Sequence, residues 1–290
     1  MNNRKIHFIL TLEVIRDSME AVADRLESEW GYSIIQLERP GHEYGWLEIY
    51  FEQPGEAEIT AAAISGWDGI RGYQVRQESP RDWQTFWRHH FHATDIGKQL
   101  RIVPIWERDM ASPDPERKII WLDPGLSFGT GDHFTTRFCL EMIDRLAPSG
   151  QIQSMLDIGT GSGILALAAK LLGVKKVVGT DHDAIALEQA RENLALNGNT
   201  DEIELIVSDI LQDPPQGSFD LVCANVYTTI LIEIAPGVVA SARRYVVLSG
   251  IRDPELELVA EAYRNQGMTE IFRDGNGEWG GLAFKKNNES

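Results

Sequence analysis

Apolar and polar positions change their period along this chain, and the changes mark its elements. Ile6, Phe8, Leu10 and Leu12 alternate with other residues, the two-residue period of a half-buried strand. Within Val14 to Trp30, the residues Met19, Val22, Ala23, Leu26 and Trp30 recur at helical spacing. Ser33 to Leu37 reads as a strand, Arg39-Pro40-Gly41 as a turn, and Trp46 to Phe51 alternates again. The Ala-rich stretch Glu56 to Ile64 predicts a helix, and Gly72 to Glu78 a last strand. Strand, helix, strand, strand, helix, strand is the split βαβ, ferredoxin-like order, which carries no chemistry by itself.

Asp82 to Phe91 is rich in aromatic residues and histidine. No Cys or acidic ligand stands beside its histidines at metal-ligand spacing, so a linker helix packing its aromatics is the better reading. Leu100, Ile102, Ile105 and Trp106 predict a strand with Pro104 at an edge or bend, and Ala111 to Glu116 a solvated turn. From Ile119 onward, strand-like apolar runs alternate with helical stretches. Strands are expected at Met155–Ile158, Lys176–Thr180, Ile203–Val207, Leu221–Ala224 and Tyr245–Leu248. Helices are expected at Ile164–Leu172, Ala184–Asn197 and Pro254–Asn265. That alternation predicts an α/β, doubly wound, mostly parallel sheet of Rossmann-like type. The expected domains are residues 1–80, a linker over 81–118, and residues 119–290.

Composition agrees. A chain of 290 residues suits two domains at roughly 150 residues each. No stretch approaches the roughly 18 apolar residues of a membrane span, and Met1 to His7 does not read as an export signal. A cytoplasmic protein is expected, with Cys139 and Cys223, both flanked by apolar residues, as buried reduced thiols. The net charge of −17 divides into about −7 up to Pro80, +1 from Arg81 to Lys118, and −11 beyond. No basic stripe is present, which argues against direct contact with nucleic acid.

The strongest local signal is Asp157-Ile158-Gly159-Thr160-Gly161-Ser162-Gly163, joining a strand to a helix. Its glycines allow a tight turn and close approach of a ligand. Asp181 follows Gly159 by 22 positions and ends the next strand, where a carboxylate accepts both ribose hydroxyls of a nucleoside. Dinucleotide enzymes favour G-x-G-x-x-G, whereas here the third glycine comes one place early. The shorter turn suits S-adenosylmethionine, which has no pyrophosphate, better than a nicotinamide cofactor. Asp209 lies after the next strand, placed either to accept from an adenine amino group or to cap a helix. Asn225 ends another strand, where its side-chain oxygen can accept from an amine nucleophile, or it forms a turn. Leu122 to Thr136 reads as a loop before a helix, with His133 as either a general base or a structural hydrogen-bonder.

Asp123-Pro124-Gly125 through Gly129-Thr130-Gly131-x-His133-x-Thr135-Thr136 resembles the signature loop of ribosomal protein L11 methyltransferases. The resemblance continues through Asp157 to Ala166, Gly179 to Asp183, Ala224-Asn225 and Leu248 to Ile251, and the stretch Ile96 to Pro104 is similar too. It implies a class I, S-adenosylmethionine-dependent protein N-methyltransferase, acting on lysine or N-terminal amino groups of L11. It also implies a small N-terminal domain that holds the substrate and a helical linker; two domains joined by a linker suit a monomer, and no metal is expected. Thr136, Gly159, Asp181 and Asn225 match the family's cofactor contacts, and Gly161 and Asp209 join them from the spacing above. Asn225 is the candidate for orienting the neutral amine, with Thr136 and the loop around His133 closing over the methionine part. Asp132 and Phe134 depart from the usual Thr and Pro, and Val226-Tyr227-Thr228 from the usual Ile-Leu-Ala. These departures leave two alternatives open: a relative methylating another protein's lysine, or a cofactor-binding protein without catalysis.

Overall fold

The computed structural model describes residues 7–30, 32, 34–37, 43–51, 53, 55–78, 91–109, 114–123, 133–198, 202–213 and 217–287. Ile6, the Arg39–Gly41 turn, residues 82–90 of the aromatic stretch, residues 111–113 and positions 124–132 of the signature loop lie outside them. The chain divides into two units, Met1–His90 and Phe91–Ser290.

In the first unit, β1 (His7–Ile15), β2 (Ile34–Leu37), β3 (Tyr44–Phe51) and β4 (Ile70–Glu78) form an antiparallel sheet in the order β2-β3-β1-β4. Helices α1 (Met19–Trp30) and α2 (Glu56–Ile64) are the two crossovers. The alternation in β1 drives this arrangement. Leu10, Leu12 and Val14 face one side, where they meet Leu47 and Ile49 of β3 and Met19, Val22 and Leu26 of α1. The topology is the ferredoxin-like one expected from the order of elements.

The second unit begins earlier than the sequence pattern implies. Residues 94–122, most of which was assigned to a linker, contain three strands: β5 (Thr94–Ile96), β6 (Leu100–Pro104) and β7 (Lys118–Leu122). Asp144 fastens the β5–β6 turn by accepting from the Lys98 amide at 2.8 Å and the Gln99 amide at 3.0 Å. That buried carboxylate sits on α3 (Phe134–Leu146), so the segment is built into this unit.

A seven-stranded sheet follows, in the order β10-β9-β8-β11-β12-β14-β13. Strands β8 (Ser154–Ile158), β9 (Lys176–Asp181), β10 (Ile203–Val207), β11 (Phe219–Asn225) and β12 (Ala242–Arg252) are parallel. Strands β13 (Met268–Gly275) and β14 (Trp279–Lys286) form an antiparallel hairpin, with β14 inserted beside β12. Helices α4 (Ile164–Leu171), α5 (Ala184–Leu196), α6 (Thr228–Glu233), α7 (Ala235–Ser241) and α8 (Leu256–Asn265) complete the unit. The central strands are buried on both faces, as continuous apolar runs require. Strand order reverses between β8 and β11, which opens a crevice at their carboxyl ends. Cys139 and Cys223 are buried free thiols, and burial pushes the Cys223 thiol up.

Candidate active site

The crevice at the strand reversal is lined from the ends of β8, β9 and β11. The loop after β8 turns on three glycines with φ of 68° at Gly159, 52° at Gly161 and 79° at Gly163. This left-handed backbone is open to glycine and strained for other residues. A Cβ at Gly159 would lie 2.7 Å from Cγ1 of Val226, so the loop and the exit of β11 pack with no room for a side chain.

Asp181 anchors the loop from the neighbouring strand. Its Oδ2 accepts from the Gly161 amide at 2.9 Å and its Oδ1 from the Asp183 amide at 3.1 Å. Each oxygen retains a lone pair for a further donor. Asp157, at the start of the loop, is fully buried. Its Oδ2 accepts from the Thr160 hydroxyl at 2.7 Å, and its Oδ1 has no hydrogen-bond partner. Burial pushes its carboxyl up to about 7, against the opposing pull of the Thr160 hydroxyl and the Ala166 amide.

Asn225 ends β11 with its side chain oriented by α3. Its Nδ2 donates to Oγ1 of buried Thr136 across a long 3.4 Å. Its Oδ1 is buried and accepts from nothing. The turn beyond is held from β12, where Gly250 adopts φ 82° and a Cβ would meet the Val226 carbonyl oxygen at 2.5 Å.

Asp209 sits two residues past β10, beside Asp181, whose carbonyl accepts from the Ser208 amide at 2.9 Å. Its carboxylate accepts from the Leu211 amide at 3.0 Å and from Gln212 Nε2 at 2.9 Å, so it caps the following turn. His133 is the N-cap of α3, its Nδ1 accepting from the Thr135 amide at 3.4 Å. Its ring meets Trp279 of β14 edge-on at 5.5 Å, and the Arg252 guanidinium lies 4.7 Å from that indole. Thr136, Gly159, Gly161, Asp181 and Asn225 thus border one crevice, with Asp209 at its β10 side.

Sequence reasoning missed Asn193. This buried α5 residue donates from Nδ2 to the Ser162 carbonyl at 3.0 Å and accepts at Oδ1 from the Asp123 amide at 3.0 Å. It joins the glycine loop to the end of β7. Its signal was only a polar residue on a helix, indistinguishable from a solvated position. Trp279 was equally silent as a site residue. Among the described residues, no group of His, Cys, Asp and Glu is placed to hold a metal.

Comparison with known proteins gives a consistent result. The family model described as ribosomal protein L11 methyltransferase (PrmA) matches residues 14–287. A ribosomal protein L11 methyltransferase of Geobacter metallireducens is 43% identical over 206 residues, covering 70% of this chain and 66% of the relative. One of Myxococcus xanthus is 34% identical over 280 residues, covering 93% of this chain and 95% of the relative. A crystal structure of ribosomal protein L11 methylase from Lactobacillus delbrueckii subsp. bulgaricus superposes with a TM-score of 0.61. It is 36% identical and covers 68% of this chain and 100% of that one.

Proposed function

The chain belongs to the ribosomal protein L11 methyltransferase family, and from that premise we propose that it methylates amino groups of ribosomal protein L11, at lysine, at the N-terminus or at both. It is an S-adenosylmethionine-dependent methyltransferase with the class I fold. The observation that carries the assignment of the acceptor site is the buried, unpartnered Oδ1 of Asn225.

The residues of the crevice fit the cofactor. Gly159 and Gly161 take the left-handed backbone of the turn without side chains of their own, and Asp181 has lone pairs for two ribose hydroxyls. Asp209 would hold the adenine part and Thr136 the methionine part. Bound there, S-adenosylmethionine supplies a methyl group on a positive sulfur, released as an N–C bond forms and the C–S electron pair stays on sulfur. The protein's part is alignment.

Asn225 performs that alignment because Thr136 occupies its Nδ2, which leaves Oδ1 as the acceptor facing an amine N–H. A lysine amine has a reference pKa of about 10.4 and must be neutral to attack. Entry into a water-poor site lowers that value by desolvation, and the proton leaves to solvent. His133 is engaged as a helix cap, which supports a structural role rather than that of a base.

The N-terminal unit, residues 1–80 of the expected division, is the proposed holder of the protein substrate. The enzyme is proposed to act as a cytoplasmic monomer without direct contact to nucleic acid. No helix among the described residues is long and apolar enough to cross a membrane.

The test is transfer of labelled methyl groups from S-adenosylmethionine to purified L11, and to an extract of cells lacking this enzyme. Labelled L11 is the expected result. Label on a different protein moves the specificity and keeps the chemistry. Cofactor binding without any label would leave a binding protein. Asn225→Ala is expected to lose turnover by about 10²-fold at saturating S-adenosylmethionine, the scale of a misaligned reactant.

A further inference from the structure

The hydrogen bond that orients the Asn225 amide is long, so it depends on where α3 begins. Thr136 supplies its acceptor from the first turn of that helix, where Thr135 and Thr136 are both buried. The cap sets that turn: His133 Nδ1 lies 2.8 Å from Oγ1 of Thr135 and 3.4 Å from the Thr135 amide. The cap is braced in turn from β14, whose first residue, half-buried Trp279, meets the His133 ring edge-on at 5.5 Å. The indole is itself held in place. Its Nε1 donates to Glu278 at 3.0 Å, its backbone amide donates to Oδ1 of Asn276 at 2.8 Å, and the Arg252 guanidinium lies 4.7 Å from its ring. The next two residues seat the strand closely. A Cβ at Gly281 would overlap the Phe138 ring of α3, and the Gly280 carbonyl accepts from the buried Ser249 hydroxyl at 3.0 Å. Ser249 is the residue of β12 that pairs with Asn225 of β11. Trp279-Gly280-Gly281 therefore grips α3 and the strand beside Asn225 together.

We propose that Trp279 is a positioning residue for methyl transfer: by bracing His133 it holds the first turn of α3 where Thr136 engages Asn225 Nδ2 and leaves Oδ1 to the amine. This rests on the reading of Asn225 given above. A side-chain amide has an accepting end and a donating end. Turned over, Asn225 would offer Nδ2 to an amine whose lone pair must stay free for the methyl group. The bond to Thr136 prevents that turn, and at 3.4 Å it lies at the weak end of hydrogen-bond geometry. A small retreat of α3 releases it. The packed indole opposes that retreat, because ring contacts lose their attraction steeply as a gap opens. Trp279 acts through the protein in this role and needs no contact with the amine or the cofactor.

The experiment measures kcat and KM for purified L11 with the full chain at saturating S-adenosylmethionine. Trp279→Leu keeps an apolar side chain and removes the ring from His133. Its kcat is expected to fall roughly 10- to 100-fold, the cost of a small misplacement passed on from outside the reacting groups. Its KM for L11 is expected to hold, because alignment is lost and docking is not. Trp279→Phe returns a ring to His133 and is expected to regain most of the rate. In an Asn225→Ala background Trp279→Leu is expected to cost little more, since the two residues act in series. His133→Asn keeps a capping oxygen and removes the ring that Trp279 meets, so it is expected to match Trp279→Leu. If Trp279→Leu does not fold, His133→Asn decides on the same readouts. An unchanged kcat, or an equal loss with and without Asn225, overturns the inference and leaves the acceptor site in place. A raised KM with kcat unchanged also overturns it and makes Trp279 a docking contact. Full turnover in Asn225→Ala overturns the acceptor site itself, and this inference with it.

Discussion

The side-chain amide of Asn193 donates to the carbonyl oxygen of Ser162 across 3.0 Å, and neither residue is more than 1% exposed. The same side chain accepts from the Asp123 amide, and Gln189 one turn earlier reaches the Asp123 carbonyl at 3.4 Å. Helix α5 thereby ties the glycine loop to the point where the chain enters residues 124–132. Asn193→Ala strands a buried carbonyl and an amide at once. It is expected to destabilise the protein by about 1–3 kcal/mol in urea unfolding. It is also expected to weaken S-adenosylmethionine binding, read by calorimetry on the folded variant.

Asp181 positions two amides and is the proposed partner of the ribose. Asp181→Ala removes charge-assisted hydrogen bonds worth about 1.5–3 kcal/mol each. Cofactor affinity is expected to fall by roughly 10- to 100-fold for the loss of one such bond. Asp181→Asn can accept through only one atom and is expected to fall between. Equal affinity of wild type and Asp181→Ala in calorimetry removes Asp181 from the site.

The buried Asp157 carboxyl makes the stability of the ligand-free protein depend on pH. Its folded value, pushed up to about 7 by burial, exceeds the ordinary aspartate value of 3.8. Between these values the folded state holds more protons than the unfolded state, so stability falls as pH rises. Below about 4 the group is protonated in both states, and above about 7 it is charged in both, so it adds no slope. Asp157→Asn is expected to flatten the descent by up to about 1.4 kcal/mol per pH unit within that window. The check is urea unfolding of both proteins at several pH values between 4 and 8.

Gly250 holds the turn after Asn225 in place. A methyl group there faces backbone, the Val226 carbonyl oxygen at 2.5 Å, and a φ of 82°. Gly250→Ala must therefore shift Asn225 and its neighbours. Turnover is expected to drop by about 10²-fold. Stability is expected to fall by about 1–3 kcal/mol from strain. Steady-state kinetics beside thermal unfolding separates the two effects.

The sequence revealed this architecture unevenly, for physical reasons. Parallel strands buried on both faces read as apolar runs, and glycine-bounded turns mark their ends, so Met155–Ile158 is found within β8, where its pattern predicts it. The hairpin of β13 and β14 went unread. β13 is an edge strand whose residues are mostly partly or fully exposed, and β14 opens on Trp279-Gly280-Gly281, which has no period. Leu100 and Ile102 lie in β6 as their alternation predicts, with Pro104 at its end, whereas Ile105 and Trp106 turn into a 3-10 helix, and β5, three residues long, is too short to show a period. At the site, Asp181 and Asn225 were legible because strand ends line the crevice. Asn193 was not, because hydrogen bonds to Asp123 and Ser162, far away in sequence, exist only after folding.

Strand β14 is also synthesised after every strand beside which it must lie. It pairs with β12 on one side and β13 on the other, brings Trp279 against His133, and ends where Lys286 donates to the carbonyls of Val239 and Ala242. While residues 279–286 remain inside the ribosome, β12 has an open edge and the cap of α3 lacks its aromatic neighbour. The sheet of this unit therefore closes only after all of its other strands have been made.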